Sequence, residues 1–588
     1  MKDGPATPTP AGSKVALTVL VALVVLAPWP FGSVHLRTTQ AIALISLTTA
    51  LGALLWDGWH RQLQLPPRVI LWPLLGLWAL AVIQLIPLPE DVHRWIAPGS
   101  AAVWHPGVPV AAAVLGRGPH PISLYPEATC RWLAFATGLV ALALAAAPAL
   151  RERRYLLRAS VAIISGAVLV AIYAFIARLV FADKLFGVWS VPTVAPFGPF
   201  VSKNHFAGYV ELAALLAVGL ATGLADEARH GSGWLSWIES RRAHWVALAW
   251  GAAFVLVLAV PVSLSRGGVV SLTAGLASFV LLRLWARRGS SLTTSRLVVA
   301  LAGLVLGTAL VVAVLPSESR DRILSLAGIT TEQSGAYRLA IWRDTLRLAA
   351  SSPAVGSGFG AYEDALPRFK TAAGHLHVQH AENDYLEFLA EGGLLGTLLG
   401  GVVALGALFL ALKGLRTQSH RLMHAIQTAA LAGLATLYVH SGFDFNLRIP
   451  SNALMAVLLA ALAASAAPQA VVPKGAGRIG GHRPTFLFTV AGSLLLALLT
   501  HWGAPAWRPS TLARAISPSQ PSLRRADLES DLLAHLGRRP ADAPAWLALA
   551  WLRSGGTSGD PATLGAWAKD LDPGNLGLRE AAERISAN

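Results

Sequence analysis

Apolar residues fall in long runs separated by short polar segments along almost the whole chain. A helix needs about 20 predominantly apolar residues to cross the apolar core of a bilayer, and most of these runs approach that length. The pattern therefore predicts an all-α polytopic membrane protein with about 12–13 transmembrane helices. We place them at residues 15–31, 38–56, 69–87, 131–150, 155–177, 205–224, 244–264, 267–286, 297–315, 393–412, 422–442, 452–467 and 485–503.

The short loops between the runs indicate an orientation. If the N-terminus is cytoplasmic, the cytoplasmic loops are 57–68, 151–154, 225–243, 287–296, 413–421 and 468–484. Each of them contains at least two Lys or Arg residues. Cytoplasmic loops of membrane proteins carry such an excess of positive charge. We therefore expect a multi-pass membrane protein with its N-terminus in the cytoplasm.

Three longer segments then lie on the outer side: residues 88–130, a large loop at about 316–392, and residues 504–588. The last segment contains amphipathic helical patterns at 523–536, 544–553 and 576–586. Asp572-Pro573-Gly574-Asn575 forms a turn signal before the last of them. This predicts a transmembrane domain at 1–503 and a small helical tail at 504–588 that resembles tetratricopeptide-type helix pairs. The tail either docks on the membrane domain or an assembly partner, or is a passive extension.

Composition narrows the class. Charged residues make up 13% and hydrophobic residues 54% of the chain, whereas soluble domains carry about 25% charge. The net charge of +16 lies mostly in short loops, so it indicates contact with anionic membrane lipids rather than with nucleic acid. Cys130 is the single cysteine, which excludes an intramolecular disulfide and a cysteine-based metal site.

One candidate site is the short turn Val262–Ser271, in which Arg266 is the only charge. An Arg at a membrane boundary is costly unless it is paired, and its guanidinium suits phosphate geometry. The adjacent Gly267 and Gly268 allow close approach of a ligand to the backbone. The competing interpretation is an Arg that binds a lipid head group.

A second candidate is the Arg- and Trp-rich helix predicted at 335–347. At helical spacing Arg338 and Trp342 share a face, together with Thr345. Such a helix at the membrane surface either binds a pyrophosphate or simply rests on anionic lipid.

The polar segment His375–Gly396 holds several titratable residues before an apolar run begins. Its His residues and carboxylates invite a metal interpretation, but no recognised ligand spacing is present, so we expect no metal. Glu382 or His380 is a better candidate for a general base that deprotonates a sugar hydroxyl. The remaining interpretation is a polar cap on a helix start.

Two further polar groups fall at outer ends of predicted spans. Asn204 and His205 begin one span, and His440 and Asp444 lie one helical turn apart at the end of another, followed by Arg448. A His–Asp pair at this spacing is either a structural bond or part of a site. The predicted topology places all these groups on the same side of the membrane.

At this point the chain resembles a known family, the O-antigen ligase and Wzy-type polysaccharide polymerase superfamily of bacterial inner-membrane proteins. The resemblance covers roughly residues 20–465. It rests on the order and spacing of short motifs between the spans. These are QLIPLP (84–89), ISLYPEAT (122–129), NHFAGY (204–209), SRGG (265–268), YRLAIW (337–342), PAVGSGFG (353–360), ENDYLEFLAEGGLLG (382–396) and HSGFDFNLRIP (440–450).

The resemblance implies a GT-C-like helical glycosyltransferase. Such proteins transfer glycan from an undecaprenyl-pyrophosphate carrier to an acceptor hydroxyl on the periplasmic face, with inversion and without a metal or other cofactor. Arg266 and Arg338 match the family's positions for binding the pyrophosphate. We also expect contacts to pyrophosphate or glycan from the remaining outer polar groups: Asn204, His205, Trp342, Asn383, His440, Asp444 and Arg448.

One position departs from the ligase pattern. Ligases carry His-Asn followed after nine residues by GxxG. Here Asn383, Gly393 and Gly396 keep that spacing, but Glu382 stands where the His is expected. A carboxylate can serve as the base in glycosyl chemistry. We therefore expect Glu382 to be the base, with His380 as the second candidate.

The departure argues against a strict ligase to the lipid A core. Polymerases and ligases share these motifs, and we favour a polymerase of O-antigen or exopolysaccharide repeat units. A ligase acting on another acceptor remains the alternative. A flippase would need ionisable groups deep in the spans, whereas the polar groups here collect at span ends. A non-catalytic assembly scaffold would leave the grouping of Arg and carboxylate residues unexplained.

Overall fold

The computed structural model describes residues 9–60, 62–181, 184–190, 196–228, 241–286, 333–371, 377–466, 525–554 and 561–587. Within these ranges the chain is almost entirely helical. Its two-stranded sheet pairs Lys184–Leu185 (β1) with Trp189–Ser190 (β2) in antiparallel register.

The helices are numbered in chain order. Through the first half of the chain they are α1 (Ala11–Leu26), α2 (Leu36–Trp59), α3 (Arg68–Ile83), α4 (Glu90–Ile96), α5 (Pro98–Trp104), α6 (Pro109–Leu115), α7 (Pro126–Ala146), α8 (Arg153–Val180), α9 (Lys203–Ala228), α10 (Arg241–Val262) and α11 (Arg266–Ala286). Those that follow are α12 (Gln333–Ser351), α13 (Tyr362–Ala365), α14 (Asp384–Thr417), α15 (Arg421–His440), α16 (Pro450–Ala464), α17 (Arg525–Leu536), α18 (Ala543–Ser554), α19 (Pro561–Leu571) and α20 (Leu576–Ala587).

Eight of these helices are long and apolar enough to cross a membrane, namely α2, α7, α8, α9, α10, α11, α14 and α15. The shorter helices α1, α3 and α16 are apolar too. Together they coincide with eleven of the thirteen predicted spans. The spans predicted at 297–315 and 485–503 lie outside the described residues. The all-α polytopic membrane fold is confirmed.

The chain divides into two compact units. The first comprises residues 1–70, 135–328 and 404–496. Its centre is α9, which is 89% buried over its most apolar stretch. Small residues allow neighbouring helices to approach closely, as is typical of membrane bundles. A Cβ on Gly219 of α9 would lie 2.3 Å from the Ala429 Cβ of α15. A Cβ on Gly275 of α11 would collide with Thr436, which also belongs to α15.

The second unit comprises residues 71–134, 329–403 and 497–588. One buried cluster joins residues of α5, α12 and α13 to the tail helices α17–α20, with Trp104, Tyr362 and Trp546 among its largest members. A smaller cluster surrounds Phe359, whose ring stacks on Trp132 at 4.1 Å. The tail is thus part of the core of this unit. The predicted boundary between residues 503 and 504 lies outside the described residues and stays a prediction.

Two arginines at the end of α17 fix the tail to the rest of the second unit. Arg539 donates to Asp364 Oδ1 from Nε (2.9 Å) and Nη2 (2.5 Å), and its guanidinium stacks over the Tyr125 ring at 4.4 Å. The neighbouring Arg538 lies 3.6 Å from Glu127. The side chain of Asp364 is only 3% exposed, so the Arg539 pair is the buried one of the two.

Candidate active site

A glycine-rich loop organises the second unit around the predicted base. Residues 353–360 bond to α14 where Gly393 interrupts the helix with φ 63° and ψ −168°. Leu394 N donates to Pro353 O (2.8 Å), and Gly358 N donates to Glu391 O (3.1 Å). A Cβ on Gly393 would lie 2.6 Å from the Ala354 backbone, so only glycine fits. The glycines of the PAVGSGFG and GGLLG motifs therefore hold backbone against backbone.

Gln84 of the QLIPLP motif fastens the same junction. Its Nε2 donates to Val355 O (2.7 Å) and Glu391 O (2.8 Å), and its Oε1 accepts from Phe359 N (3.1 Å). The amide is completely buried, and all three of its bonds go to backbone groups of this junction. Motifs hundreds of residues apart in the chain thus meet at one structural joint.

The segment 377–383 enters α14 from this joint and carries both candidate bases. His380 Nδ1 lies 2.9 Å from Glu387 Oε1, and Ala381 N donates to Glu387 Oε2 (2.8 Å). Glu387 is 1% exposed, whereas the His380 side chain is 31% exposed. An ionised Glu387 can only accept from the ring, and in that state Nδ1 carries the proton and a neutral imidazole has its lone pair on Nε2. A buried carboxylate that orients an imidazole is the arrangement of a positioned general base.

Glu382 follows with a left-handed backbone, φ 54°, which is strained for a residue with a side chain. Arg338 Nη2 of α12 donates to Glu382 Oε2 at 3.0 Å. The two side chains are 37% and 29% exposed, so the pair borders solvent. Backbone strain of this kind persists where the surroundings hold it, and it concentrates at functional sites.

Two other predicted residues surround this segment. Asn383 is the N-cap of α14, since its Oδ1 accepts from Tyr385 N (3.0 Å) and Leu386 N (3.1 Å). Trp342 lies one turn after Arg338 on α12, half-buried, and its buried indole N–H has no hydrogen-bond partner within the described residues.

The first unit holds a separate polar cluster. His440 Nδ1 at the end of α15 lies 2.8 Å from Glu211 Oε1 of α9, and Ser271 Oγ of α11 donates to Glu211 Oε2 (2.7 Å). All three side chains are at most 1% exposed. Glu211 lies about two turns inside a span, an exception to the expectation that span interiors carry almost no charge. An ionisable residue at such depth marks a functional position in membrane proteins.

Asp444 extends the cluster. Its Oδ1 lies 3.7 Å from His205 Nε2, and its Oδ2 lies 3.9 Å from His440 Nε2. Burial opposes ionisation, but the imidazoles of His205 and His440 hold the pKa of Asp444 down to about 2. Asp444 is 1% exposed, so these two imidazoles are the contacts that favour its ionised form.

The NHFAGY, SRGG and HSGFDFNLRIP motifs pack against each other around this cluster. A Cβ on Gly208 would overlap the Asn446 amide, one on Gly267 would lie 3.2 Å from His440 Nε2, and one on Gly268 would lie 2.7 Å from the Ala207 Cβ. Glycine is thus required for close contact of the three segments.

Arg266 is the first residue of α11, and Ser265 Oγ accepts from Gly268 N (3.2 Å) to cap that helix. A guanidinium beside a helix N-terminus favours an anion there. Arg448 ends the 3-10 turn Asn446–Arg448 and is half-buried. Asn204 lies in the first turn of α9, where its N–H donates to Ser202 Oγ (3.3 Å).

The structure thus brings the predicted residues together in two groups. Arg338, Trp342, His380, Glu382 and Asn383 lie in the second unit, and Asn204, His205, Arg266, His440, Asp444 and Arg448 lie in the first. No three His, Cys, Asp or Glu side chains form a metal-binding group within the described ranges, and His375 lies outside them.

Sequence reasoning missed three residues that complete these groups: Glu211, Ser271 and Glu387. Glu211 is the single acidic residue in the run 205–224, a signal that could have identified it. Glu387 lies about two helical turns before Gly393, the first glycine of the GxxG motif. The sequence did not indicate its contact with His380, because that contact depends on the turn at 381–383.

Comparison with known proteins agrees with the motifs. The family model described as O-antigen ligase matches residues 251–401, which include Arg266, Arg338, His380 and Glu382. A relative, the exopolysaccharide production protein ExoQ of Rhizobium meliloti (strain 1021), is 25% identical over 269 residues. The aligned part covers 43% of this chain and 54% of the relative, so the chain spans about half the length of that relative. These matches support the resemblance to the O-antigen ligase and polymerase superfamily: residues 251–401 match the O-antigen ligase family model, and the apolar helices are those of a multi-pass membrane protein.

Proposed function

We propose that this protein transfers glycan from an undecaprenyl-pyrophosphate carrier to a sugar hydroxyl, most favourably polymerising the repeat units of an exopolysaccharide. One observation carries the proposal. The fold brings Arg338 and Glu382, 44 residues apart within the O-antigen ligase match, to 3.0 Å at a solvent-facing position of the second unit. A paired cation and carboxylate offers a charge to the donor and a proton acceptor to the acceptor hydroxyl.

The reaction needs one proton acceptor and one leaving group. As the acceptor oxygen forms its bond to the anomeric carbon, the bond from that carbon to the pyrophosphate breaks and the electron pair leaves with the phosphate. The acceptor's proton passes to the base, and direct displacement inverts the anomeric centre. The pyrophosphate is already a good leaving group, so charge stabilisation by arginine suffices and no metal is required.

Two groups compete for the role of base. Glu382 is the first choice, because its strained backbone presents a carboxylate next to Arg338. His380 is the second, since Glu387 orients its ring. Arg266, at the capped start of α11 in the first unit, is proposed separately as a ligand of the donor phosphate.

Polymerase and ligase differ only in the acceptor. The name of the relative favours exopolysaccharide production, whereas the family description favours a ligase. The position of Glu382 in place of the ligase His supports the polymerase. We further propose that the reaction takes place on the periplasmic side of the inner membrane, with the N-terminus in the cytoplasm, because the short loops assigned to the cytoplasm are rich in Lys and Arg.

The test is a chain-length assay with purified protein in lipid nanodiscs. The protein is incubated with a lipid-pyrophosphate-linked repeat unit and no other acceptor, and the products are separated on a gel. We expect a ladder from the wild type and loss of 10²- to 10⁴-fold in rate for Glu382→Gln, the range of a general base. The matched control is Glu529→Gln, because Glu529 is also about 30% exposed and paired with an arginine, Arg553 at 2.7 Å.

The assay distinguishes the proposal from three alternatives. A ladder that persists in Glu382→Gln and disappears in His380→Ala moves the base to His380. Product only after a second glycolipid acceptor is added identifies a ligase. Active flipping in vesicles with no new glycosidic bond under either condition would contradict glycosyl transfer and identify a transporter.

A further inference from the structure

The carboxylate of Glu211 lies inside the first unit and has no part in the reaction proposed above. Glu211 belongs to α9, eight residues after the helix begins at Lys203, and it is 0% exposed. Burying an ionisable side chain within a span is costly, and such a residue usually has a functional partner. The contacts of Glu211 therefore indicate what it does.

Glu211 joins two other helices to α9. Its Oε2 accepts from Ser271 Oγ of α11 (2.7 Å), and its Oε1 lies 2.8 Å from His440 Nδ1 at the end of α15. An ionised carboxylate accepts hydrogen bonds at both oxygens, so it suits these two partners. Both partners are at most 1% exposed, and bonds between groups buried this deeply do not compete with bulk water. One side chain thus connects three helices.

The two partners of Glu211 both contact the first turn of α11. Ser271 lies about one helical turn after Gly267. A Cβ on Gly267 would lie 3.2 Å from Nε2 and 3.3 Å from Cδ2 of His440, so the ring edge opposite Nδ1 faces the Gly267 backbone. Glu211 therefore holds this turn from two directions, through the hydroxyl of Ser271 and through the imidazole of His440.

Arg266 is the first residue of the same turn, and the chain before it is strained. Leu264 has a left-handed backbone, φ 60°, which a residue with a side chain rarely adopts. Ser265 caps the helix by accepting from Gly268 N (3.2 Å). Backbone strain persists where the surroundings hold it. Arg266 itself is only half-buried, so a ligand can reach it.

We propose that Glu211 is a positioning residue, which acts through Ser271 and His440 to hold the first turn of α11 where Arg266 binds the pyrophosphate of the donor. The proposal rests on the proposed function, in which Arg266 is a ligand of the donor phosphate. Hydrogen bonds between arginine and phosphate need close and specific geometry. A displacement of 1 Å at such a site can cost about 100-fold in rate.

Three variants separate positioning from other roles. Glu211→Met removes both hydrogen bonds and keeps an unbranched side chain. Glu211→Gln is the conservative variant: its amide oxygen accepts from His440, and its N–H donates to Ser271 Oγ, whose own proton then goes to Gly267 O (2.8 Å). The matched control is Gln427→Met. Gln427 is also 0% exposed and donates to Ser465 Oγ (3.0 Å), but it lies 13 residues before His440, about 20 Å along α15.

The measurement is the binding of inorganic pyrophosphate to full-length protein in nanodiscs by isothermal titration calorimetry. We expect Arg266→Gln to bind about tenfold more weakly or worse, the effect of losing a hydrogen bond between charged groups. Glu211→Met should show a comparable loss, whereas Glu211→Gln and Gln427→Met should keep most of the affinity. The double variant Arg266→Gln/Glu211→Met should bind no more weakly than Arg266→Gln, because Glu211 acts through Arg266. Independent effects would instead multiply.

Thermal unfolding of Glu211→Met and Gln427→Met compares their folding. Ser271→Ala, which removes one of the two bonds, is the second variant and should show a smaller loss that also disappears beside Arg266→Gln. Wild-type affinity in both Glu211→Met and Ser271→Ala would overturn the proposal. Losses that multiply in the double variant would overturn it too, as would a loss in Glu211→Gln as large as in Glu211→Met, which would assign the effect to the charge.

The assay needs neither glycan nor turnover, so it is independent of glycosyl transfer. Pyrophosphate binding that depends on Glu211, in a protein that makes no ladder in the chain-length assay, would support the positioning role and contradict the proposed reaction. A wild type that forms a ladder but binds no pyrophosphate would overturn the positioning role and leave the reaction standing.

Discussion

Replacing Arg539 by Met removes the buried one of the two ion pairs that join the tail to the rest of the second unit. Asp364 then keeps a carboxylate whose side chain is 3% exposed and whose two short bonds from the guanidinium are gone. Breaking a buried pair by removing one partner costs about 3–5 kcal/mol. Burial already raises the pKa of Asp364 to about 6 with Arg539 present, so the variant can relieve part of this cost by taking up a proton.

We therefore expect the lower end of that range, about 3 kcal/mol at pH 7, or roughly 100-fold in the opening equilibrium of the tail. The measurement is amide hydrogen exchange by mass spectrometry on full-length protein in nanodiscs, following α17–α20. The loss should be smaller at pH 5 than at pH 7.5, because protonation of Asp364 removes the uncompensated charge.

Arg538→Met is the matched control. Arg538 is adjacent, but its side chain is 38% exposed and its contact with Glu127 is longer, 3.6 Å, so we expect about 1 kcal/mol or less. The double variant Arg539→Met/Asp364→Asn should recover most of the loss, since no buried charge remains. If Arg539→Met and Arg538→Met open the tail equally, the buried ion pair is not what holds it and the reasoning fails.

Three further predictions follow from the second unit. Gly393→Ala should destabilise it by about 1–3 kcal/mol, because its backbone conformation is open only to glycine, whereas Gly401→Ala in the same helix meets no atom within 4 Å and should be neutral; thermal unfolding compares them. Glu387→Gln should lower the rate and shift the pH–rate profile if His380 is the base, and should change activity far less if Glu382 is; steady-state kinetics across pH decides. Glu363→Gln should destabilise by less than about 1 kcal/mol, since the ion pair is exposed. The ion pair lowers the pKa of Glu363 from 4.5 and raises the pKa of His377 from 6.5. Both groups are therefore charged between pH 4.5 and 6.5, and the loss of unfolding free energy in Glu363→Gln should be largest there. The loss should vanish at lower pH, where Glu363 is protonated, and at higher pH, where His377 is neutral, as pH-dependent unfolding would show.

The sequence alone determined the membrane architecture. Hydrophobic runs of bilayer length can be read locally, because each helix satisfies its own backbone and must be apolar to lie in lipid. Eleven of the thirteen predicted spans therefore coincide with described helices. The motifs were local too, and they were sufficient to indicate the family that residues 251–401 match.

The roles of single residues needed the tertiary structure. Asn383 looked like a substrate contact and is also a helix cap, while the glycines of the GGLLG motif form a joint with the 353–360 loop. The pairing of Glu211 with His440 links residues 229 positions apart, and that of Gln84 with Glu391 links residues 307 apart. Contacts of this separation depend on which helices are neighbours, which hydrophobic periodicity does not specify.

The tail shows the same division. Its amphipathic pattern predicted helices and left open whether they dock or remain passive. The structure places them in the core of the second unit, because Trp546, Leu549 and Leu564 find apolar partners there and Arg539 finds the one buried carboxylate of α13. An amphipathic sequence indicates that the apolar face of a helix is buried in the folded protein, and only the tertiary structure shows which residues pack against that face.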